Sequence, residues 1–306
     1  MIFQQKLFFI FLFQKKIVIL QKSFKVETKK QPYVPNVGKD YPINEPDKHI
    51  LENTEFGSEY TIDEHYPYVD RSLKFRLKAL WLYYFLACCV VFALQTIRFG
   101  LKIEGRKHLR KNKDKFKNGA ITISNHVLRW DFICVLQAIR FKRPYVIVWK
   151  NLIFGKDAFM VRTIRGIPIP ETKSANMAFM RTLNRLHEEK KWIHVFPESA
   201  NWHYFQPIRP FKPGAFSFAY SFNVPIIPMA FSYRKPSGIY KFFGKKSPLI
   251  TLRIGEPIYP DISLNRKVAI DKLLHESHKS MCELAGIENN YYPATFEEFD
   301  KYDKSF

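Results

Sequence analysis

Residues 120–140 read AITISNHVLRWDFICVLQAIR. The stretch opens on an apolar, β-branched run, Ala120–Ser124, of the length of a buried strand, and closes on Asp131–Arg140, which reads as a helix. Between them stand His126 and Asp131, five positions apart. On a continuous helix that separation turns two side chains about 140° away from each other, so they meet only if His126 lies in a loop and Asp131 starts the helix. Strand, loop and helix supply that bend. Asp131 then accepts from one imidazole nitrogen, sets the tautomer, and leaves the other nitrogen basic enough to take a proton from a hydroxyl. This is the base-and-orienter pair of acyl transfer without a protein nucleophile. A plain helix N-cap is the alternative role for Asp131. His65 and Asp70 repeat the spacing within HYPYVD, with no strand before them and no helix start after them, and carry no such expectation.

Working outward, short apolar runs alternate with helical patterns from Gly119 onward, the rhythm of an α/β domain. Tyr145–Trp149, Ile167–Ile169, Trp192–Phe196, Pro225–Phe231 and Leu249–Ile254 read as further strands. Ser174–Lys190 reads as a helix with Met177, Met180, Leu183 and Leu186 as its core stripe, and another helix is expected near Leu264–Ala285. The fold class is therefore α/β, a mixed sheet flanked by helices. His194, inside a strand, reads as a satisfied core histidine, and His275 with His278 as a surface pair. No Gly-rich phosphate loop, no His/Cys metal spacing and no GxSxG elbow occurs, so no metal and no bound cofactor are expected.

The 306 residues include 46% hydrophobic and 25% charged side chains, which excludes a disordered polyelectrolyte, a collagen and a polytopic transporter. Lys and Arg number 49 against 28 Asp and Glu, a net charge of +21 that suits a polyanionic partner, an anionic membrane or nucleic acid. Four cysteines without a framework spacing read as reduced thiols on a cytosolic face. The apolar run from Leu7 to Phe13 is too short to cross a bilayer and lacks a cleavage site. From Ala79 to Ile97 no formal charge occurs, and both flanks are basic. Spanning length with positive charge at both ends favours a re-entrant or in-plane helix over a clean span.

Further along the chain, Phe196-Pro197-Glu198-Ser199 ends a strand, Phe211-Lys212-Pro213-Gly214-Ala215-Phe216 opens a helix, and Val224-Pro225-Ile226-Ile227-Pro228 begins the next strand. HxxxxD followed by FPE, FKxGA and VPIIP in this order resembles the glycerol-phosphate and lysophospholipid acyltransferase family, which includes 1-acylglycerol-3-phosphate acyltransferases. The resemblance covers about Gly119 to Gly255. It implies His126 as general base, Asp131 as its partner, and Glu198 with Ser199 in the acceptor site. It also implies a fatty acyl thioester or acyl-phosphate as co-substrate, with an acyl carrier protein among the candidate donors. Two departures stand out: Glu171 or Thr172 occupies the place of an acceptor-binding arginine, and Ser199-Ala200-Asn201 replaces the Gly-Thr-Arg that usually follows FPE. Arg129, Arg165, Arg209 and Lys212 are the replacement cations, Arg209 and Lys212 foremost, because a guanidinium can hold phosphate bidentately.

The organisation expected is an N-terminal arm or linker over residues 1–70, a membrane-associating helix over 71–100, an acyltransferase domain over 101–290 and a tail over 291–306. The function expected is fatty acyl transfer to a glycerolipid hydroxyl in phospholipid biosynthesis, at the cytoplasmic face of a membrane, with lipids as partners and no nucleic acid. The alternatives are a different hydroxyl acceptor, or a non-catalytic basic protein binding membrane or nucleic acid.

Overall fold

A computed structural model describes residues 32–36, 38–50, 60–139, 142–155 and 158–303. The run from Leu7 to Phe13 lies outside them. A 27-residue helix α1 (Leu73–Phe99) leads into β1 (Lys102–Glu104), α2 (Arg106–Lys111) and β2 (Ala120–Ser124). Next come α3 (Asp131–Ala138), β3 (Tyr145–Val148), α4 (Lys150–Phe154), α5 (Ala158–Thr163) and β4 (Gly166–Pro168). The chain continues through α6 (Lys173–Glu188), β5 (Trp192–Val195), α7 (Gly214–Phe222), β6 (Ile226–Arg234) and α8 (Ile239–Phe242). It closes with β7 (Leu249–Ile254), α9 (Arg266–Ala285) and α10 (Phe296–Asp303). The α/β class stands: one seven-stranded mixed sheet, ordered β1-β7-β6-β2-β5-β3-β4, in which β6 and β7 are the antiparallel pair.

The order places β2 between β6 and β5 at the centre. Both faces are covered, so β2 is buried at all five positions and reads as a continuous apolar run instead of an alternating one. α6, α7 and α9 pack one face through Leu183, Leu186, Phe216 and Leu273, and α3 packs the other through Cys134, Val135 and Ala138. On α6 the buried stripe is Ala175, Ala178, Phe179, Leu183 and Leu186. Met177, expected in that stripe, is 59% exposed; it falls one position before Ala178, on the outer side. The strand β1 had no sequence signal, since a three-residue edge strand is shorter than any periodicity can reveal.

The described residues of the segments read as a linker and a tail are packed structure. Ile62 and Tyr68 lie in the main core, and Tyr41, Ile43 and Ile50 pack with Trp202, Phe205 and Tyr292. The Tyr41 hydroxyl donates to His203 O (2.6 Å) and the Tyr292 hydroxyl to Ile43 O (3.0 Å). Their Pro, Asn and Tyr content reflects irregular backbone that follows the surface, and periodicity is silent about whether such backbone docks. His278 also departs from expectation: it is 6% exposed with its ring edge on Phe211, while His275 pairs with Glu298 (2.8 Å) as a surface residue would.

His194 is wholly buried between the Thr122 and Ser124 hydroxyls (2.9 and 3.4 Å). Burial, with the nearby His126 charge adding to it, pushes His194 down to about 3, and burial takes His278 down to about 4. The unfolded chain takes up these protons near the ordinary value of 6.5, which the native state refuses. Both histidines therefore contribute stability that is complete above pH 6.5 and is lost as pH falls toward 4 and 3. At pH 5 the expected loss is about 2 kcal/mol per histidine. Urea unfolding at pH 7 and pH 5 checks this, and His278→Gln should flatten the pH slope. An unchanged slope would show that His278 is charged in the native state.

Candidate active site

β2 and β5 are parallel neighbours, with Ile123 opposite Val195, so the loops after Ser124 and after Val195 leave the sheet side by side at its carboxyl edge. Asn125 ties the first loop to β6, accepting from Phe231 N–H (2.7 Å) and donating to Phe231 O (3.3 Å). His126 then points back at the start of α3, where its Nδ1 meets Asp131 Oδ2 at 2.7 Å. Asp131 is fully buried, and the same oxygen accepts from the Val127 and Leu128 N–H groups (2.9 and 3.1 Å). Those donors come from the loop before the helix, so Asp131 closes the loop instead of capping its own helix end. Nδ1 must carry the proton shared with Asp131, which leaves Nε2 as the basic nitrogen. The imidazole is 18% exposed and lies flat on Phe196, with centroids 4.1 Å apart and planes at 20°. This is an imidazole with a fixed tautomer and a fixed ring plane.

The second loop holds the first from below. Glu198 is 1% exposed; one carboxylate oxygen accepts from His126 N–H (3.0 Å) and from Arg209 Nη2 (2.9 Å), the other from Arg209 N–H (3.0 Å). Two backbone bonds continue the union, Trp202 N–H to His126 O (3.0 Å) and Tyr204 N–H to Val127 O (2.9 Å). Asn201 completes it: its amide nitrogen lies 2.9 Å from His126 Nδ1 and donates to Leu128 O at 2.6 Å. With the Nδ1 proton directed at Asp131, Asn201 contributes by fixing the Leu128 carbonyl beside the ring.

Residues 100–232, which contain all of these groups, match the family model described as Acyltransferase. This stretch is similar to the acyltransferase family. Over 206 residues the chain is 27% identical to an uncharacterized acyltransferase of Schizosaccharomyces pombe, covering 62% of this chain and 66% of that protein. The chain thus spans just under two thirds of the length of that relative. Among solved structures it is similar to the 1-acyl-sn-glycerophosphate (LPA) acyltransferase PlsC of Thermotoga maritima. That match has 17% identity and a TM-score of 0.40, over 68% of this chain and 93% of that one.

Within the matched stretch the residues expected to bind an acceptor go to different places. Arg209, the foremost replacement cation, is 1% exposed: besides Glu198 its guanidinium holds Pro46 O (2.8 Å) and Ala200 O and covers the Trp202 ring. It is a brace between loops, because a buried carboxylate beneath the His126 loop requires a buried cation. Glu198, for the same reason, holds the His126 loop and is closed off from solvent, not open to an acceptor. Lys212 is engaged by Asp47 (3.2 Å) and lies over Phe296. Arg165 precedes β4, and β2, β5, β3 and β4 all run parallel, so it sits at the opposite edge of the sheet from His126, bonded to Arg143 O (2.9 Å). Sequence order hid this, because residues at the two ends of a strand stand only a few positions apart. Ser199 is exposed on the second loop in the left-handed conformation (φ 61°), and Arg129 is exposed on the first, over Trp130. Glu171 follows β4 at the carboxyl edge and pairs with Lys150 (2.7 Å), which follows β3.

Three contributors had no signal of their own. Phe196 and Asn201 flank Glu198 within a motif whose glutamate drew the attention. His49, from the arm, stacks on Trp149 at 5.0 Å, and burial, then the charges of His126 and Arg209, lower it below its ordinary value. His65 and Asp70 do not meet: His65 lies near Glu64, and Asp70 accepts from Ser72 N–H. The aromatic residues Trp202, Tyr204 and Phe205 are buried loop packing.

Proposed function

We propose that this acyltransferase moves a fatty acyl group from a thioester or acyl-phosphate donor to a hydroxyl of a glycerolipid acceptor of the 1-acylglycerol-3-phosphate kind, as a step of phospholipid synthesis. The observation that carries the reading is the Asp131–His126 pair, tautomer-fixed and braced at the carboxyl edge of the central strands. His126 Nε2 takes the proton of the acceptor hydroxyl as its oxygen bonds to the donor carbonyl carbon. Collapse of the tetrahedral adduct breaks the bond to sulfur or phosphate oxygen, and the imidazolium returns the proton to the leaving group. Acyl-coenzyme A and acyl carrier protein both fit as thioester donors, and the lipid acceptor places the enzyme on a membrane, with its basic surface suited to a cytoplasmic leaflet.

The second reading, an uncharged hydroxyl acceptor, draws on a specific observation. Where the resembling family places arginines, this chain has Asn201 engaged beneath the base and Glu171 paired with Lys150. Purified protein supplied with labelled acyl-coenzyme A should acylate 1-acylglycerol-3-phosphate faster than 1-acylglycerol. The reverse preference would move the assignment to the uncharged acceptor, and no transfer to either would remove the glycerolipid reading.

A further inference from the structure

α1 is about 40 Å long, and its middle is occupied by the domain on one side. Tyr83 and Phe92 are 3% exposed against Phe132, Ile133 and Leu136 of α3, the Arg143 guanidinium covers the rings of Tyr83 and Tyr84, and Gln137 donates to Thr96 Oγ1 (2.8 Å). From Leu82 to Val91 the winding widens, with Phe92 N–H bonding to Ala87 O five residues back. The outward positions follow that wider pitch: Trp81, Phe85, Val90 and Leu94 are 45–65% exposed. One face is thus protein and the other is a bare apolar stripe along the whole helix.

A second apolar feature adjoins its end. The loop after β6 carries Phe242 and Phe243, 84% and 75% exposed, with Ile239 at 65%. It is fastened to α1 by Tyr240 OH on Thr96 O (3.4 Å) and Lys245 Nζ on Arg98 O (2.7 Å). β6 runs parallel to β2, with Met229 opposite Ser124, and continues five residues beyond it. The loop therefore projects from the same edge of the sheet that carries His126. Residues 71–103 and 235–248 together hold ten Lys and Arg and no Asp or Glu. Arg71 pairs with Glu189 and Lys102 with Glu104 (2.6 Å each), which leaves the balance of this field strongly positive. Two largely exposed phenylalanines in a predominantly positive field match an anionic bilayer, in which the rings enter the acyl region and the cations meet the headgroups.

We propose that residues 235–247 form a membrane-inserting loop that, with the outer stripe of α1, makes one docking surface for an anionic leaflet, α1 lying in its plane. The proposal rests on the glycerolipid reading for its purpose, since it would hold the His126 edge of the sheet beside the lipid. Sedimentation of the full chain with phosphatidylcholine vesicles containing 30% phosphatidylglycerol tests it, compared with pure phosphatidylcholine. Binding should be at least ten-fold weaker for Phe242→Ser/Phe243→Ser and for Lys241→Glu/Lys246→Glu, and weaker on the neutral vesicles. Both variants should keep wild-type transfer to a short-chain, water-soluble acceptor, which separates loss of docking from loss of the enzymatic reading. Nitroxides at Leu77 and Leu94 should report equal, shallow depths; a spanning helix would separate them by about 25 Å. Undiminished binding by the phenylalanine variant, or unequal depths, overturns the proposal. A concentration-dependent dimer lost in the same variant would assign the surface to a second copy of the chain.

Discussion

Replacing His126 by alanine should lower acyl transfer by at least ~10²-fold, and toward ~10⁴ if no other group can take the hydroxyl proton. The fold should survive. His126 is joined to its surroundings chiefly through its backbone, N–H to Glu198 and C=O from Trp202, and alanine keeps both. Asp131 would lose one partner of three and retain the Val127 and Leu128 amides. The measurement is kcat with both substrates saturating, beside circular dichroism and a thermal midpoint. Asp131→Asn should also lower kcat, because an amide at this position no longer selects the Nδ1–H tautomer. His65→Ala, whose side chain is 85% exposed, should leave turnover unchanged. Turnover that survives in His126→Ala and disappears in His65→Ala would refute the site.

Arg209→Ala should destabilise the protein by about 3–5 kcal/mol, the cost of leaving a buried carboxylate without its cation. The sequence suggests a different outcome, a selective loss of affinity for a phosphorylated acceptor. The structure changes the expectation, because Arg209 and Glu198 are each 1% exposed and the guanidinium also supplies donors to the Pro46 and Ala200 carbonyls. Arg209→Lys should recover only part of the loss, since an ammonium cannot serve three acceptors in the planar arrangement of a guanidinium. Arg209→Met combined with Glu198→Gln should cost less than the sum of the single changes, the sign of a coupled pair. Urea unfolding of Arg209→Ala, Arg209→Lys, the two single changes and their combination measures this. A stable Arg209→Ala protein with a raised acceptor KM would return the residue to the substrate site.

Local pattern carried much of the reading. Six of the seven strands, the long helices and the strand-loop-helix around His126 were legible, because burial on both faces of a parallel sheet writes continuous apolar runs and a helix writes a period of 3.6. The His126–Asp131 contact was legible too, since it needs only five residues and one bend.

Contacts between distant segments had no such record. The cations illustrate this: charge and motif position marked Arg165 and Arg209 as acceptor ligands, yet one lies at the far edge of the sheet and the other is buried against Glu198. Whether a charge faces solvent, substrate or a buried partner depends on which loops the sheet order brings together. The arm is similar, with Pro46 and Lys48 offering carbonyls to Arg209 and Trp202 across about 160 positions, bonds that backbone atoms make without constraining residue type. For α1, length and apolarity supplied a membrane candidate, and the basic flanks favoured a re-entrant or in-plane helix over a clean span. Only packing against α3 gave the helix two different faces, because the wider winding and the neighbour that covers Tyr83 and Phe92 exist in three dimensions alone.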